Sequence, residues 1–311
     1  MRCGSPTKLL RTPLKQRLEV GTIGEMPGPF DSVKRKVARV GEHFANLERE
    51  IQAFIEVDPY RQVIEIDPTT PNQFLHKVKL IKDFDDTLIA ELVGDIVSNL
   101  RASLDHAIYA VAAASGQTKI RNAYFPFAHS AAELEPKIKG RCADVPGEMY
   151  PLLRSFNPYD GGNYFLHALQ ALRNTDNHAM LTPFGTDFQR PSTKVESSSG
   201  FVSMVVPEHS RWNRVKQEVV YLRTSVDSNS QYEIDFKFFV AFDEPSVVAG
   251  RPVIEELYWI GCEVANTIEA IQAESRRLGF CGGPGCSDSF RRFLSGSSVF
   301  RFRLPEVLAD G

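Results

Sequence analysis

The longest apolar stripe in the chain runs from Leu88 to Ala114. Ile89, Val93, Ile96, Leu100, Leu104, Ile108 and Val111 recur at steps of three and four residues, the spacing of one face of an α-helix. Asp85-Asp86-Thr87 offers an N-cap and an acidic first turn, and Ser115-Gly116 a stop. A rod of that length must lay its stripe against other elements. Three further stretches can do so. Asp31–Val57 carries Val33, Val37, Val40, Phe44, Leu47, Ile51 and Phe54, with Asp31 or Ser32 as cap. Pro252–Arg276 carries Ile254, Leu257, Tyr258, Gly261, Val264, Ile268 and Ile271, with Pro252 suited to the first turn. Tyr164–Leu181 begins with Phe165, Leu169 and Leu172 on one face. Four such helices bury each other as a bundle.

Short alternating runs interrupt the helices. Tyr60–Ile66 and Phe74–Lys82, separated by Asp67-Pro68-Thr69-Thr70-Pro71, predict a hairpin, in which His76 shares a face with Phe74, Val78 and Leu80. Phe201–Val206, Val215–Thr224 and Tyr232–Phe242 predict an antiparallel meander with a turn at Asp227-Ser228-Asn229-Ser230. With the hairpin it makes a five-stranded sheet. Arg121–His129 reads as extended and aromatic, Ala131–Lys139 and Glu148–Phe156 as short helices, Asn157–Gly162 and Ser192–Gly200 as loops. The expected class is α+β, a four-helix bundle core with an antiparallel sheet formed by inserted strands. The expected organisation is an N-terminal arm over 1–29, mobile and rich in Gly, Pro and Lys/Arg. One α+β domain follows over 30–277, with strand insertions at 60–82 and 201–242, and then an irregular tail over 278–311.

Composition narrows the function classes. With 42% apolar and 24% charged residues and a net charge of -3, the chain has a globular composition and no global basic field. No apolar run approaches a membrane span, and the N-terminus lacks the apolar core of a signal peptide. The five cysteines are odd in number and scattered, which argues against a disulfide framework and for a reducing, cytoplasmic location. Cys281-GGPG-Cys286 is the only close pair. It lacks the second half of a zinc site and reads as a Gly-rich loop with free thiols.

Two polar segments stand out from the helical stripes. In the fourth helix Arg173-Asn174-Thr175-Asp176-Asn177-His178 follows the apolar turns. If the helix continues, Asp176 extends the stripe of Phe165, Leu169 and Leu172 and needs a partner there. In the longest helix Arg101-Ala102-Ser103-Leu104-Asp105-His106 repeats the pattern Arg-x4-His with an aspartate close to the histidine. Arg101 and Asp105 stand four apart and can pair. Arg and His five apart on a regular helix point about 140° apart. They converge only if the helix breaks or a second copy supplies one of them.

Arg173-Asn174-x3-His178 resembles the Arg-x4-6-His signature of HEPN ribonucleases, a family of helical bundles in which a polar residue often follows the arginine. Arg101 and His106 match its outer frame, with Ala102 in the polar place. The resemblance implies metal-independent, cofactor-free cleavage of RNA. The 2′-hydroxyl attacks the adjacent phosphate, a histidine of near-neutral pKa moves protons, and arginine holds the phosphate. It implies RNA as partner and a homodimer in which two copies of the motif meet. Here the chain's own two copies stand as an alternative, with Arg101, Asp105 and His106 the second half.

Two other readings fit the same residues. In one the protein is a non-catalytic structural or interaction protein. Its Arg/Asp/His layer holds helices in register through crossed pairs, Arg101 with Asp176 and Arg173 with Asp105, while His178 caps the helix end. In the other, His106, His167 and His178 with Asp105 or Asp176 form the metal site of a bundle-type hydrolase. No His-x3-His or Glu-x-x-His spacing accompanies them. A P-loop, a G-x-S-x-G turn and a dinucleotide fingerprint are all absent.

Overall fold

The computed structural model describes residues 28–174, 181–185, 194–199, 212–213, 215–227, 229–233 and 238–280. The chain is α+β. Its long helices are α1 (Asp31–Glu56), α2 (Asp86–Ala114) and α6 (Val253–Arg277), joined by the shorter α3 (Ala131–Arg141), α4 (Tyr150–Ser155) and α5 (Tyr164–Asn174). α2 is the hub. It packs against α1, α5 and α6, and α5 packs against α6. Among the long helices α1 approaches chiefly α2, so the four stripes converge on one central rod instead of closing a four-sided ring.

The stripe of α2 explains this position. Ile96, Leu100, Leu104, Ile108 and Val111 are fully enclosed, and Ala107, Ala110 and Ala112 widen the buried face enough for several neighbours. Each large side chain buried there contributes about 1.5–3 kcal/mol. The Asp85 carboxylate accepts from Leu88 N at 3.0 Å and caps the helix. α1 starts differently from the expectation. Its cap position is Phe30, and the Asp31 carboxylate, already inside the first turn, accepts from Gly28 N at 2.7 Å.

The hairpin β1 (Tyr60–Ile66) and β2 (Gln73–Leu80) is antiparallel, Tyr60 opposite Leu80. β5 (Glu218–Ser225) adds to β2 and completes a three-stranded sheet ordered β1-β2-β5. Phe54 of α1 links this sheet to the helical core, with its ring edge-on to Tyr60 at 6.3 Å.

The expected meander and five-stranded sheet are corrected. β3 (Leu181–Gly185) pairs with β7 (Phe238–Phe242), and β4 (Lys194–Ser199) with β6 (Asn229–Glu233), as two separate ribbons. The run expected as one strand over Tyr232–Phe242 is therefore divided between β6 and β7, whose partners differ. β4 lies within Ser192–Gly200, expected as a loop, and β3 takes up Leu181, expected at the end of the fourth helix. Phe201–Val206, the N-terminal segment up to residue 27 and the segment from Cys281 onward, Cys286 included, lie outside the described residues. Among the described residues no helix is long and apolar enough to cross a membrane.

Candidate functional site

The described part of the second polar segment, Arg173–Asn174, lies beside the first at the contact of α2 with α5. α5 is set there by its N-terminus. Asn163 accepts from Leu166 N at 3.1 Å as a cap and donates to Glu263 of α6 at 2.7 Å, and the Tyr164 hydroxyl donates to the buried Glu256 at 2.6 Å. One apolar face, Leu166, Leu169 and Leu172, turns inward, which leaves Gln170, Arg173 and Asn174 along the rim.

Arg101 lies across this rim with its side chain only 12% exposed. Its Nη1 is 2.6 Å from Asp105 Oδ1, one helical turn on. Its Nε donates to Gln170 Oε1 at 3.4 Å, and Gln170 in turn donates to Asn174 Oδ1 at 3.2 Å. The guanidinium lies over the Phe127 ring at 4.2 Å. Asp105 also accepts from Phe125 N at 2.8 Å, so the pair pins the aromatic segment 121–129 against α2. Of the two crossed pairs, Arg173 with Asp105 is corrected here. Asp105 is committed to Arg101 and Phe125, and among the described residues Arg173 makes no ion pair. Asp176 and His178 lie outside the described residues.

His106 is not part of this group. It lies toward α1, where burial first, then the Lys36 ammonium, hold its pKa below the ordinary value. Arg101 and His106 thus face different helices, as five steps along a regular helix require. His167 is 3.8 Å from Asp160. Among the described residues no set of three His, Cys, Asp or Glu side chains comes together as a metal site.

Arg141 lies near this group without any hint in the Arg-x4-His pattern. Arg141, in the last turn of α3, stacks on Tyr124 at 5.2 Å, and its own carbonyl accepts from Tyr124 N at 3.0 Å. Burial first, then Asp105 in opposition, then Arg141 and Arg173, act on Arg101, and the net effect lowers its pKa. Arg141 Nε is buried and has no hydrogen-bond partner, and Arg101 Nη1, though close to Asp105, makes no well-directed hydrogen bond. Next to Arg141 the Cys142 thiol donates to Tyr124 O at 3.1 Å, and burial pushes its pKa up to about 12, so it stands as a neutral thiol. The signal that was present in the chain was the aromatic run Tyr124-Phe125-Pro126-Phe127. What it could not say was which arginines would lie against it.

Comparison with models of protein families, with curated proteins and with solved structures finds no match to this chain.

Proposed function

We propose that the protein is a metal-independent endoribonuclease of the HEPN kind, with Arg173, Asn174 and His178 at its centre. The RNA 2′-hydroxyl attacks the adjacent phosphorus and the bond to the 5′-oxygen of the next nucleotide breaks. The products are a 2′,3′-cyclic phosphate and a free 5′-hydroxyl. His178 takes the 2′-hydroxyl proton or supplies one to the leaving oxygen. Arg173 meets the charge that builds on the phosphoryl oxygens.

The observation that carries this reading is the neighbourhood of Arg101 and the Arg173–Asn174 pair across α2 and α5, joined through Gln170. The second cation therefore comes from the chain's own other segment, with no need for the motif of a homodimer partner. His106, turned toward α1, takes no part.

A second reading is favoured for Arg101 and Asp105 themselves. Their contacts to Phe125 N and the Phe127 ring are those of a structural lock. If that were the whole role of the layer, the protein would be a scaffold without activity. RNA cleavage in EDTA separates the two. His178→Ala should lower the rate about a hundredfold or more, the scale of general acid–base catalysis, and His106→Ala should leave it unchanged. Equal cleavage by the wild type and His178→Ala would remove the nuclease reading, and activity abolished by EDTA would move it to a metal-dependent hydrolase.

A further inference from the structure

β1 is an edge strand, the outermost in the order β1-β2-β5. Two bonds that bracket it, Ile81 N to Pro59 O and Asp67 N to Gln73 O, both at 2.8 Å, fix the phase of its ladder. Arg61, Val63 and Glu65 turn their N–H and C=O groups toward β2. Gln62, Ile64 and Ile66 turn theirs outward, and among the described residues those groups have no backbone partner. Edge strands are commonly blunted by a proline, a bulge or lysines. β1, with the sequence Tyr-Arg-Gln-Val-Ile-Glu-Ile, has none of these, and its register with β2 runs unbroken from Tyr60 to Ile66. Its C-terminal half also shows apolar surface, with Ile64 47% and Ile66 59% exposed.

The charges of the strand are arranged about its centre. Arg61 and Glu65 flank Val63 symmetrically and share one face. Arg61 is exposed and makes no ion pair among the described residues. Glu65 holds Lys77 and Lys79 yet keeps 38% of its side chain exposed, and a carboxylate can accept from more than two donors. An antiparallel copy of the strand, centred on Val63, brings Arg61 of each copy opposite Glu65 of the other. It sets Gln62 opposite Ile64, the residues whose groups point outward, so each such pair can exchange both N–H···O=C bonds. A slip of two residues either way puts Arg61 or Glu65 opposite Val63, and a parallel pairing in register sets like charges side by side. The strand is thus complementary to itself, which favours a second copy of this chain over an unrelated peptide. We propose that the protein forms a two-fold symmetric dimer through β1, joining two three-stranded sheets into one. The contact uses no residue of the α2–α5 rim, so it stands or falls apart from the cleavage reading.

An interface built on one strand lies at the small end of the size range, so a dimer with Kd of about 1–100 μM is expected. Sedimentation velocity of the full chain over a concentration series should show monomer giving way to dimer. Ile64→Pro removes an N–H that points outward and spares the ladder to β2. Arg61→Glu sets like charges opposite each other. Each should weaken association at least tenfold while the far-UV circular dichroism stays that of the wild type. Arg154→Gln, on the helical surface, should dimerise as the wild type does. Disulfide formation with diamide, read on non-reducing gels against the wild-type background, tests the register. Val63→Cys faces its own copy, within reach of a disulfide, and should cross-link. Arg61→Cys stands about 13 Å from its own copy and should not. Association unaltered in both Ile64→Pro and Arg61→Glu, or equal cross-linking by the two cysteine variants, overturns the proposal. So does a chain that stays monomeric at about 100 μM, which leaves the edge to an extended peptide of another protein.

Discussion

On the three-stranded sheet two lysines meet two glutamates, while on the helical side Arg101 pairs with Asp105 and, among the described residues, Arg141 and Arg173 form no ion pair. In the sheet, Lys77 Nζ lies 2.8 Å from Glu65 and 3.1 Å from Glu218, and Lys79 Nζ reaches both glutamates as well, 3.4 Å from Glu218. β2 places both lysines on one face, two residues apart, and the flanking strands supply the carboxylates. Charge sums to zero and each group has a partner, so the network offsets its own desolvation. On the helical side the pairing is less complete: among the described residues Arg141 Nε is buried without a hydrogen-bond partner.

The largest test of that difference is in the sheet. Glu218→Ala removes one carboxylate from a network in which the Lys77 and Glu218 side chains are each 8% exposed. Breaking a buried pair from one side costs about 3–5 kcal/mol, so the urea midpoint should fall sharply. Replacing both partners, Lys77→Met with Glu218→Leu, should restore most of it, because no lone charge stays behind. A single-variant loss under about 1 kcal/mol would mean that the network is no more structural than a surface pair.

Acid should also attack the sheet. His76 is buried and bonded to Thr224 Oγ1 at 2.8 Å, and burial lowers its pKa to about 4. The unfolded chain binds a proton near pH 6.5 while the folded one refuses it until about pH 4. Stability is therefore complete above pH 6.5 and falls as pH drops from 6.5 to 4, by about 3 kcal/mol in all. Glu65, held down to about 2 chiefly by its hydrogen bond to Lys77, adds a second loss as pH falls from its ordinary 4.5 toward 2. Thermal unfolding across pH should show both windows, and His76→Gln should flatten the upper one. A profile that stays flat from pH 6.5 to 4 in the wild type would place the acid sensitivity elsewhere.

What the chain disclosed by itself follows the same division between local and distant pairing. The stripes of α1, α2 and α6 are written at intervals of three and four residues, so their helices and their buried faces were legible. So was the pairing of Arg101 with Asp105, one turn apart on α2. The hairpin was legible because its strands are neighbours in sequence. β4 was not. Lys194–Ser199 is polar, and it becomes a strand only because β6 lies alongside it. The split of Tyr232–Phe242 was hidden for the same reason, since its alternation is continuous and only the choice of partners separates β6 from β7. The arginines of the helical side escaped in part. Arg101 and Arg173 sit in patterns visible along the chain, but Arg141 enters through the packing of α3 and the segment 121–129, which no spacing encodes.

Asp105→Asn sharpens the comparison on the helical side. The amide oxygen can still accept from Phe125 N, so the shape of the lock survives while the one negative charge paired with Arg101 is lost. The expected destabilisation is about 1–3 kcal/mol. Urea unfolding checks it: a midpoint equal to that of the wild type would mean that the charge of Asp105 adds nothing to the lock.

The smallest expected effect separates balance from burial as the cause of stability in the sheet. Glu135 of α3 and Arg154 of α4 form a two-pronged pair, Nε to Oε2 at 2.6 Å and Nη2 to Oε1 at 2.9 Å, with Lys139 Nζ 3.7 Å from the same carboxylate. Arg154 is 45% and Glu135 41% exposed. Water solvates each charge almost as well when the partner is gone, so Arg154→Ala should cost under about 1 kcal/mol and less still in high salt. If balance alone made a charge cluster structural, Arg154→Ala and Glu218→Ala would cost alike. A large gap between the two midpoints means that enclosure sets the cost of a missing partner. The same reasoning applies to the buried Nε of Arg141, which has no hydrogen-bond partner among the described residues.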